Sequence, residues 1–357
     1  MPAGAIVLKV GQNLQSIVNS KAAGAVFLVK AGVHNRQSIV PKNGMTFIGE
    51  PGAVLDGGGA TQFAFSGSAD NVTISNLEIR NYKPGNQTGA VRGGTSQYLT
   101  SGWIVEDSEV HHNSTGGIRT GHRMVIRRNY IHHNGQNGIS GKGDDILVAN
   151  NEVAFNGSTQ YAAQSTGGSK FVKTHDLVVR NNDYHDNTEN GIWMDIDCIN
   201  SLIEGNQVID NTGQGIMMEI SYKAVIRNNY VEGNGFGRGR WLYGAGIMIS
   251  SSPDAEVYGN TVKNNYNGIT AVVQDRGSGT LGLHHVKNLY VHNNTITMKV
   301  AYTGLGIGGP ISSVYYTPQM NNRFRNNTYN LLLGSGTNYF VWDGKKTLAE
   351  WKTSGQS

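Results

Sequence analysis

The feature that most constrains this chain is a short segment that recurs along most of its length. Each copy has a polar residue, usually asparagine, at its first position, an apolar residue two positions later and asparagine five positions later, as in Asn129, Ile131 and Asn134. The copies, some of them faint, begin at positions 76, 108, 129, 151, 182, 206, 229, 260, 294 and 327, which are 21 to 24 or 31 to 34 residues apart. A period near 22, made of short β-branched runs between Gly and Asn, predicts the coils of a parallel β-helix, and the longer steps indicate loop insertions.

We therefore predict an all-β fold, a single-stranded right-handed parallel β-helix of about ten coils with three short strands in each coil. The handedness follows from the rule for crossover connections between parallel strands. We expect the recurring asparagines to form structural ladders, because asparagine tolerates left-handed turns and can hydrogen-bond to an identical neighbour in a stack. The predicted domain is single, 1–357, with an N-terminal cap at 1–25 that includes a short helix and a C-terminal cap at 335–357.

Composition excludes several other classes. Seven prolines without a Gly-X-Y period exclude collagen, and the absence of a long apolar run excludes a membrane-spanning helix. Cys198 is the one cysteine, which excludes a disulfide scaffold and a cysteine-based zinc site. A net charge of +4 without a Lys/Arg run argues against nucleic acid as a partner. We expect a monomer that contacts neither nucleic acid nor membrane.

The N-terminus has neither the basic nor the apolar segment of a signal peptide. The protein is therefore cytoplasmic or viral, or its sequence begins after a removed signal, and of these we expect an extracellular location.

Side-chain alternation predicts which residues face out. One strand of each coil opens with Gly-Ile or a close variant, and aligning the strands on that glycine sends most apolar side chains to the inner face. The inward set is Ile118, Ile139, Phe171, Met194, Ile196, Met218, Ile220, Ile247 and Ile249. The outward set includes Arg119, Lys142, Lys170, Trp193, Asp195, Asp197, Met217, Glu219, Met248 and Gln274.

Two outward carboxylates define the predicted active site. Asp195 and Glu219 fall on adjacent coils, about 5 Å apart at Cβ, which is the separation typical of retaining glycosidases. Two carboxylates this close cannot both ionise cheaply, so one of them could keep a proton and act as an acid. The spacing does not decide which. Trp193 offers a flat apolar face for a sugar ring.

Gly191-Ile192-Trp193-Met194-Asp195, followed by Met218-Glu219-Ile220 one coil later, resembles the catalytic region of the β-helix β-xylosidases of glycoside hydrolase family 120. The resemblance covers about residues 165–230 and includes the lysine-bearing stretch 167–171. It implies that Asp195 is the nucleophile and Glu219 the acid/base. The family is larger, and residues 196–197 and 221–222 depart from its pattern. More broadly the chain resembles pectate-lyase-like β-helix proteins, most of which act on polysaccharides.

Several further residues are predicted to serve the same site. Asp197 is a third catalytic candidate that, with Lys170, would tune the carboxylate pair. The substrate-binding candidates are Lys170, Trp193, Lys142, Arg119, Met217, Tyr222, Trp241, Gln274 and Arg276.

Two other functions stay open at this point. A polysaccharide lyase would use a lysine or arginine base, with calcium on the acidic cluster as a possible neutraliser. A non-catalytic, tailspike-like module would present the outer face to a surface glycan. No cofactor is expected otherwise. The paired histidines at 111–112, 132–133 and 284–285 are expected to be exposed turn residues without a metal role.

Overall fold

The computed structural model describes residues 4–94, 98–158, 166–298, 304–309, 313–331 and 339–357. The chain divides into two compact units, 1–170 and 171–357. Both units are built from coils whose short strands pair in parallel with the equivalent strands of the next coil, so the predicted parallel β-helix is confirmed. The prediction of a single domain stays a prediction.

Three rows of parallel strands form the first unit. The first row contains Ile6–Leu8, Val26–Val29, Thr46–Gly49, Thr73–Ser75, Ile104–Glu106, Val125–Arg127 and Leu147–Ala149. The second contains Phe65–Ser66, Gly89–Arg92, Gly116–Thr120 and Asn137–Asp144, and the strand Gly167–His175 begins in this unit. The third contains Gly32–Asn35, Ala53–Asp56, Glu78–Arg80, Glu109–His111, Tyr130–His132 and Glu152–Ala154.

The second unit repeats this plan. Its first row contains Val178–Arg180, Ile199–Glu204, Tyr222–Arg227, Glu256–Tyr258, Tyr290–His292 and Arg323–Arg325. Its second row, called here the carboxylate row, contains Asn190–Asp195, Ile216–Glu219, Ala245–Ser250, Asn267–Val272, Leu305–Gly308 and Phe340–Val341. Its third row contains Asp183–His185, Gln207–Ile209, Tyr230–Glu232, Thr261–Lys263, Thr295–Met298 and Thr328–Leu331.

In the described part of the second unit, two antiparallel strand pairs interrupt the parallel pattern. Ser278–Gly279 and Gly282–Leu283 form a hairpin, and Lys345–Lys346 pairs with Phe340–Val341. The described residues also form 3-10 helices at Ser313–Tyr316 and Pro318–Met320.

Buried asparagines hold successive coils in register. In the second unit Asn206 donates a side-chain N–H to Asn229 Oδ1 at 3.0 Å, and Asn229 donates in the same way to Asn260 at 3.0 Å. Each Oδ1 also accepts the backbone N–H of the preceding asparagine, so one side chain closes bonds to both neighbours. One ladder in this unit contains Asn182, Asn206, Asn229, Asn260, Asn294 and Asn327. The structural role predicted for the asparagines is confirmed.

Short helices lie near both ends of the chain. The predicted N-terminal helix is Leu14–Asn19, with Leu14 and Val18 buried and the Asn13 side chain accepting the Ser16 N–H as its cap. Near the C-terminus, helix Leu348–Thr353 starts with a capping box and buries Trp351. Part of the predicted C-terminal cap, 335–338, lies outside the described residues. None of the helices in the described part of the chain is long and apolar enough to cross a bilayer.

Candidate functional site

Asp195 and Glu219 lie side by side on the carboxylate row. They are register partners at the ends of strands Asn190–Asp195 and Ile216–Glu219, as the alignment on glycine predicts. The residues before them, Met194 and Met218, are 0% and 1% exposed and point into the core. Alternation along the strands therefore sends both carboxylates to the outer face. Their exposure is low, because Asp195 is 6% exposed and the Glu219 side chain 13%.

Arg276 binds the second of these carboxylates. Its guanidinium donates to Glu219 Oε1 at 2.5 Å and to Gln274 Oε1 at 3.3 Å. Gln274 in turn donates a side-chain N–H to the Tyr243 hydroxyl at 2.9 Å. The structure thus places Arg276 and Gln274, two predicted substrate-binding residues, in a polar chain that starts at Glu219. Sequence reasoning gave no partner for either.

Asp197 occupies a different place from the one predicted. The strand ends at Asp195, and the next two residues turn with positive φ angles of 50° at Ile196 and 56° at Asp197. The expectation that Asp197 continues the strand face one pleat along is wrong, because the turn redirects it. Ile196, predicted to point inward, is 40% exposed for the same reason.

The Asp197 carboxylate instead anchors the hairpin. It accepts the Thr280 backbone N–H at 3.2 Å, the Thr280 hydroxyl at 3.2 Å and an N–H from His284 Nε2 at 3.2 Å. A Cβ on Gly279 would lie 1.9 Å from Asp197 Oδ1, so a larger residue there would push the Asp197 carboxylate away from the hairpin. Thr280 and His284 are residues that sequence reasoning did not place at the site. Only contacts across 83 to 87 positions bring them to Asp197.

Tyr222 is a second anchor for the hairpin. It is 1% exposed, so its predicted role in binding substrate is contradicted by burial. Its hydroxyl donates to the Gly282 carbonyl at 2.6 Å and accepts the Gly279 N–H at 3.1 Å. Burial raises the pKa of this phenol above its ordinary value, with a smaller contribution from the Asp197 charge.

An apolar cover hides the residues that were expected to stack on sugar. Trp193 and Met217 are 5% and 6% exposed, so an open aromatic platform at Trp193 is wrong. They pack with Leu242, Met248 and other residues, namely Ala245, Val272 and Val341. The loop 235–244, called here the cover loop, supplies Leu242, which is fully buried. Side-chain alternation predicts the outer face correctly, and the cover loop folds over part of that face.

Polar contacts hold the cover loop down. Arg238 Nε lies 2.9 Å from both carboxylate oxygens of Glu189. The Thr270 hydroxyl donates to the Leu242 carbonyl at 2.8 Å. On this loop Trp241 is 47% exposed, and its ring lies against Gly308 of the carboxylate row. Trp241 is therefore an aromatic side chain that the loop exposes to solvent beside this row.

Three predicted residues belong to the first unit. Lys170 is half-buried in the strand Gly167–His175, Lys142 is exposed in Asn137–Asp144, and Arg119 is half-buried in Gly116–Thr120. Arg119 donates to the Gln87 carbonyl, and burial lowers its pKa, helped by repulsion from Arg92. The contribution of these three side chains to a site in the second unit stays a prediction.

Comparisons with known proteins agree with this architecture. A family model described as a right handed beta helix region matches residues 94–265. No curated protein sequence matches the chain significantly. Among solved structures, the chain is similar to the A-module of mannuronan C-5 epimerase AlgE4 from Azotobacter vinelandii, at 18% identity and a TM-score of 0.65, over 96% of this chain and 98% of that one.

Two further solved structures share the fold. A complex of XylC with xylose gives 11% identity and a TM-score of 0.66, over 95% of this chain and 86% of that one. A mannuronic acid specific polysaccharide family 6 lyase from human gut microbiota gives 13% identity and a TM-score of 0.60, over 94% and 83%. At these identities the likeness concerns the fold, a right-handed parallel β-helix.

Proposed function

We propose that this protein is a carbohydrate-active enzyme that hydrolyses glycosidic bonds with retention of configuration, using Asp195 and Glu219. The observation that carries the proposal is their direct pairing on neighbouring strands of the carboxylate row. Neighbouring strands lie about 4.8 Å apart, which is close to the separation of about 5 to 5.5 Å between the carboxyl groups of retaining enzymes. An inverting enzyme needs about 6.5 to 9.5 Å, so that a water molecule fits between them.

In this mechanism Asp195 attacks the anomeric carbon while Glu219 gives a proton to the departing glycosidic oxygen. The covalent intermediate is then hydrolysed by water that loses its proton to Glu219. The roles follow the resemblance to family 120 glycosidases. The Arg276 guanidinium contacts Glu219 Oε1, so this assignment requires Arg276 to leave that oxygen when the glycosidic oxygen takes its place.

A fluorinated glycoside that traps the covalent intermediate tests the roles. Mass spectrometry of the labelled peptide is expected to find the sugar on Asp195. A label on Glu219 would reverse the two roles.

The substrate is proposed to be an oligosaccharide or polysaccharide rather than a single glycoside. Trp241 lies against Gly308, which is three strands beyond Glu219 along the carboxylate row. At about 4.8 Å per strand this is about 14 Å from Glu219. A sugar stacked on Trp241 would therefore be separated from the cleaved glycosidic bond by more than one sugar unit of the substrate. Trp241→Ala is expected to raise the KM for long oligosaccharides and to leave the KM for the shortest cleavable oligosaccharides unchanged.

The decisive experiment is a screen against a panel that includes xylo-oligosaccharides and polymannuronate, with reducing ends and absorbance near 235 nm both recorded. Wild type is expected to release reducing ends without unsaturated product, and Asp195→Asn and Glu219→Gln are expected to abolish the release. Glu204→Gln is a matched control, because Glu204 also pairs with an arginine, Arg227, at 2.7 Å, but in a different row of strands. NMR of the first product is expected to show the anomeric configuration of the substrate.

A lyase acting on uronic acid polymers is the second candidate. Arg276 supports it, since a guanidinium at the carboxylate row could neutralise the carboxylate of a uronate. The epimerase and lyase folds named above also fit it. Absorbance near 235 nm that depends on added calcium would establish the lyase and refute hydrolysis. Saturable glycan binding without any product would favour the binding module instead.

A further inference from the structure

Four histidines in the first unit form a compact group, called here the histidine ladder: His111, His112, His132 and His133. His111 and His132 end register-paired strands, and each is followed by its partner in the turn. The rings of His111 and His132 stack with centroids 4.8 Å apart and planes 3° apart. Those of His112 and His133 stack at 5.0 Å and 1°. The sequence predicted four exposed turn residues, but His111 and His132 are buried.

Ring nitrogens face each other within each coil. Nδ1 of His111 lies 2.6 Å from Nδ1 of His112, and Nδ1 of His132 lies 2.7 Å from Nδ1 of His133. Two neutral imidazoles can satisfy such a contact only if one nitrogen donates and the other accepts. Each coil therefore has one lone pair and one proton in the space between its two rings.

Carboxylates determine which nitrogen has the lone pair. His111 Nε2 lies 3.2 Å from Glu78 Oε1, and His132 Nε2 lies 2.9 Å from Glu109 Oε1. A carboxylate accepts, so both Nε2 atoms carry hydrogen and the Nδ1 atoms of the two buried rings are acceptors. A carboxylate that fixes the tautomer of a histidine in this way is the usual support of a metal-binding imidazole.

The same chain shows what this turn needs when no second imidazole is present. His185 ends a strand of the equivalent row in the second unit, and its Nδ1 lies 2.8 Å from the Asp186 carboxylate. His292 ends a strand of another row, and its Nδ1 accepts an N–H from the Asn293 side chain at 3.0 Å. The second residue has a φ of 51° to 53° in all these turns, a conformation that Asp and Asn adopt readily. A histidine at 112 and 133 is thus not required by the turn, and it adds a nitrogen ligand.

We infer that the histidine ladder binds a divalent transition metal ion of the class that prefers imidazole nitrogen, such as Zn²⁺, Ni²⁺ or Cu²⁺. His111, His112 and His132 each offer one ligand atom, and these atoms lie within 4.8 Å of one another. Binding requires the proton between the facing nitrogens to move to Nε2 of His112, so that both Nδ1 atoms point lone pairs at the ion. His112 is exposed and can turn.

Within one coil the required adjustment is small. Metal–nitrogen bonds of about 2.0 to 2.1 Å at a right or tetrahedral angle separate two ligand nitrogens by about 2.9 to 3.4 Å. The facing Nδ1 atoms are 2.6 Å apart, so the exposed ring moves outward by less than about 1 Å.

Isothermal titration of the tag-free, chelator-treated chain with NiCl₂ or ZnCl₂ tests the inference. Saturable binding is expected, and His112→Asn/His133→Asn is expected to weaken it at least tenfold without loss of fold, since asparagine suits both turns. Glu109→Gln, which weakens the support of His132, is expected to weaken binding about 10- to 100-fold.

Matched controls are His185→Asn and His292→Asn, which remove histidines that also end strands but lack a second imidazole. Both are expected to bind metal like wild type. Binding that is absent, that survives the double substitution unchanged, or that is equally strong for Ca²⁺ would overturn the inference.

Discussion

Replacing Asn229 by alanine tests how much the asparagine ladder stabilises the second unit. Asn229 is 2% exposed and makes four side-chain hydrogen bonds. Its Oδ1 accepts both the backbone N–H and a side-chain N–H of Asn206, at 2.9 and 3.0 Å. Its own side-chain amide donates to the Ile203 carbonyl and to Asn260, both at 3.0 Å. Alanine removes all four bonds.

The magnitude follows from the donors that are left without acceptors. The backbone N–H of Asn206 loses its acceptor. Of the two side-chain amide hydrogens of Asn206, one loses its acceptor on Asn229, while the other still donates to the Val179 carbonyl at 3.0 Å. An unsatisfied buried donor costs about 1 to 3 kcal/mol, so two of them predict a loss of about 2 to 6 kcal/mol in the free energy of unfolding.

Equilibrium urea denaturation, followed by circular dichroism, measures this loss. Asn330→Ala is the control, because Asn330 is exposed and, among the described residues, its side chain bonds only to Thr297, at 3.2 Å, so the loss is expected to be below about 0.5 kcal/mol. A loss below about 1 kcal/mol for Asn229→Ala would refute the view that the ladder stabilises the coils through buried polar bonds.

Three further predictions follow from burial and hydrogen bonding. Because Trp193 is 5% exposed, saturating glycan is expected to change tryptophan fluorescence equally in wild type and Trp193→Phe, and a signal lost in the variant would place sugar on that ring. Tyr222→Phe removes both hydroxyl bonds to the hairpin, so amide hydrogen exchange is expected to accelerate at residues 278–284 and not at residues 256–258. Unchanged exchange at residues 278–284 would contradict the anchoring role of Tyr222. Burial lowers the pKa of His111 and His132 in the folded chain below the ordinary value, so the unfolded chain binds protons at a higher pH than the folded chain does. The free energy of unfolding is therefore expected to fall as the pH drops below about 6.5. Denaturation midpoints at pH 7 and pH 5 are expected to differ less in His111→Asn/His132→Asn than in wild type, and an equal difference would exclude these two groups as its source.

The periodic parts of the molecule could be read from the sequence because they depend on neighbours one coil away. The asparagine frame gave the coils, and the alignment on glycine gave the pairing of Asp195 with Glu219. Local patterns are sufficient there, since parallel strands repeat side-chain direction from coil to coil.

The site failed to follow from the sequence where inserted loops return to the coils. The burial of Trp193 depends on Leu242, and the position of Asp197 depends on Thr280 and His284. Nothing local at residues 193–197 announces these partners. The positive φ at Ile196 was equally hidden, because a β-branched residue rarely adopts it.

The lengths of the hydrogen bonds in the ladder do not depend on the number of residues between the two partners. The amide contact between Asn206 and Asn229 spans 23 residues and that between Asn260 and Asn294 spans 34, yet the lengths are 3.0 and 2.9 Å. Extra residues therefore leave the scaffold as loops such as 235–244, and doubling such a loop costs only about 0.6 kcal/mol in closure entropy. A designer could accordingly exchange or lengthen the loops beside the carboxylates while the rungs beneath keep their spacing, so that the proposed substrate preference and the stability become separately adjustable.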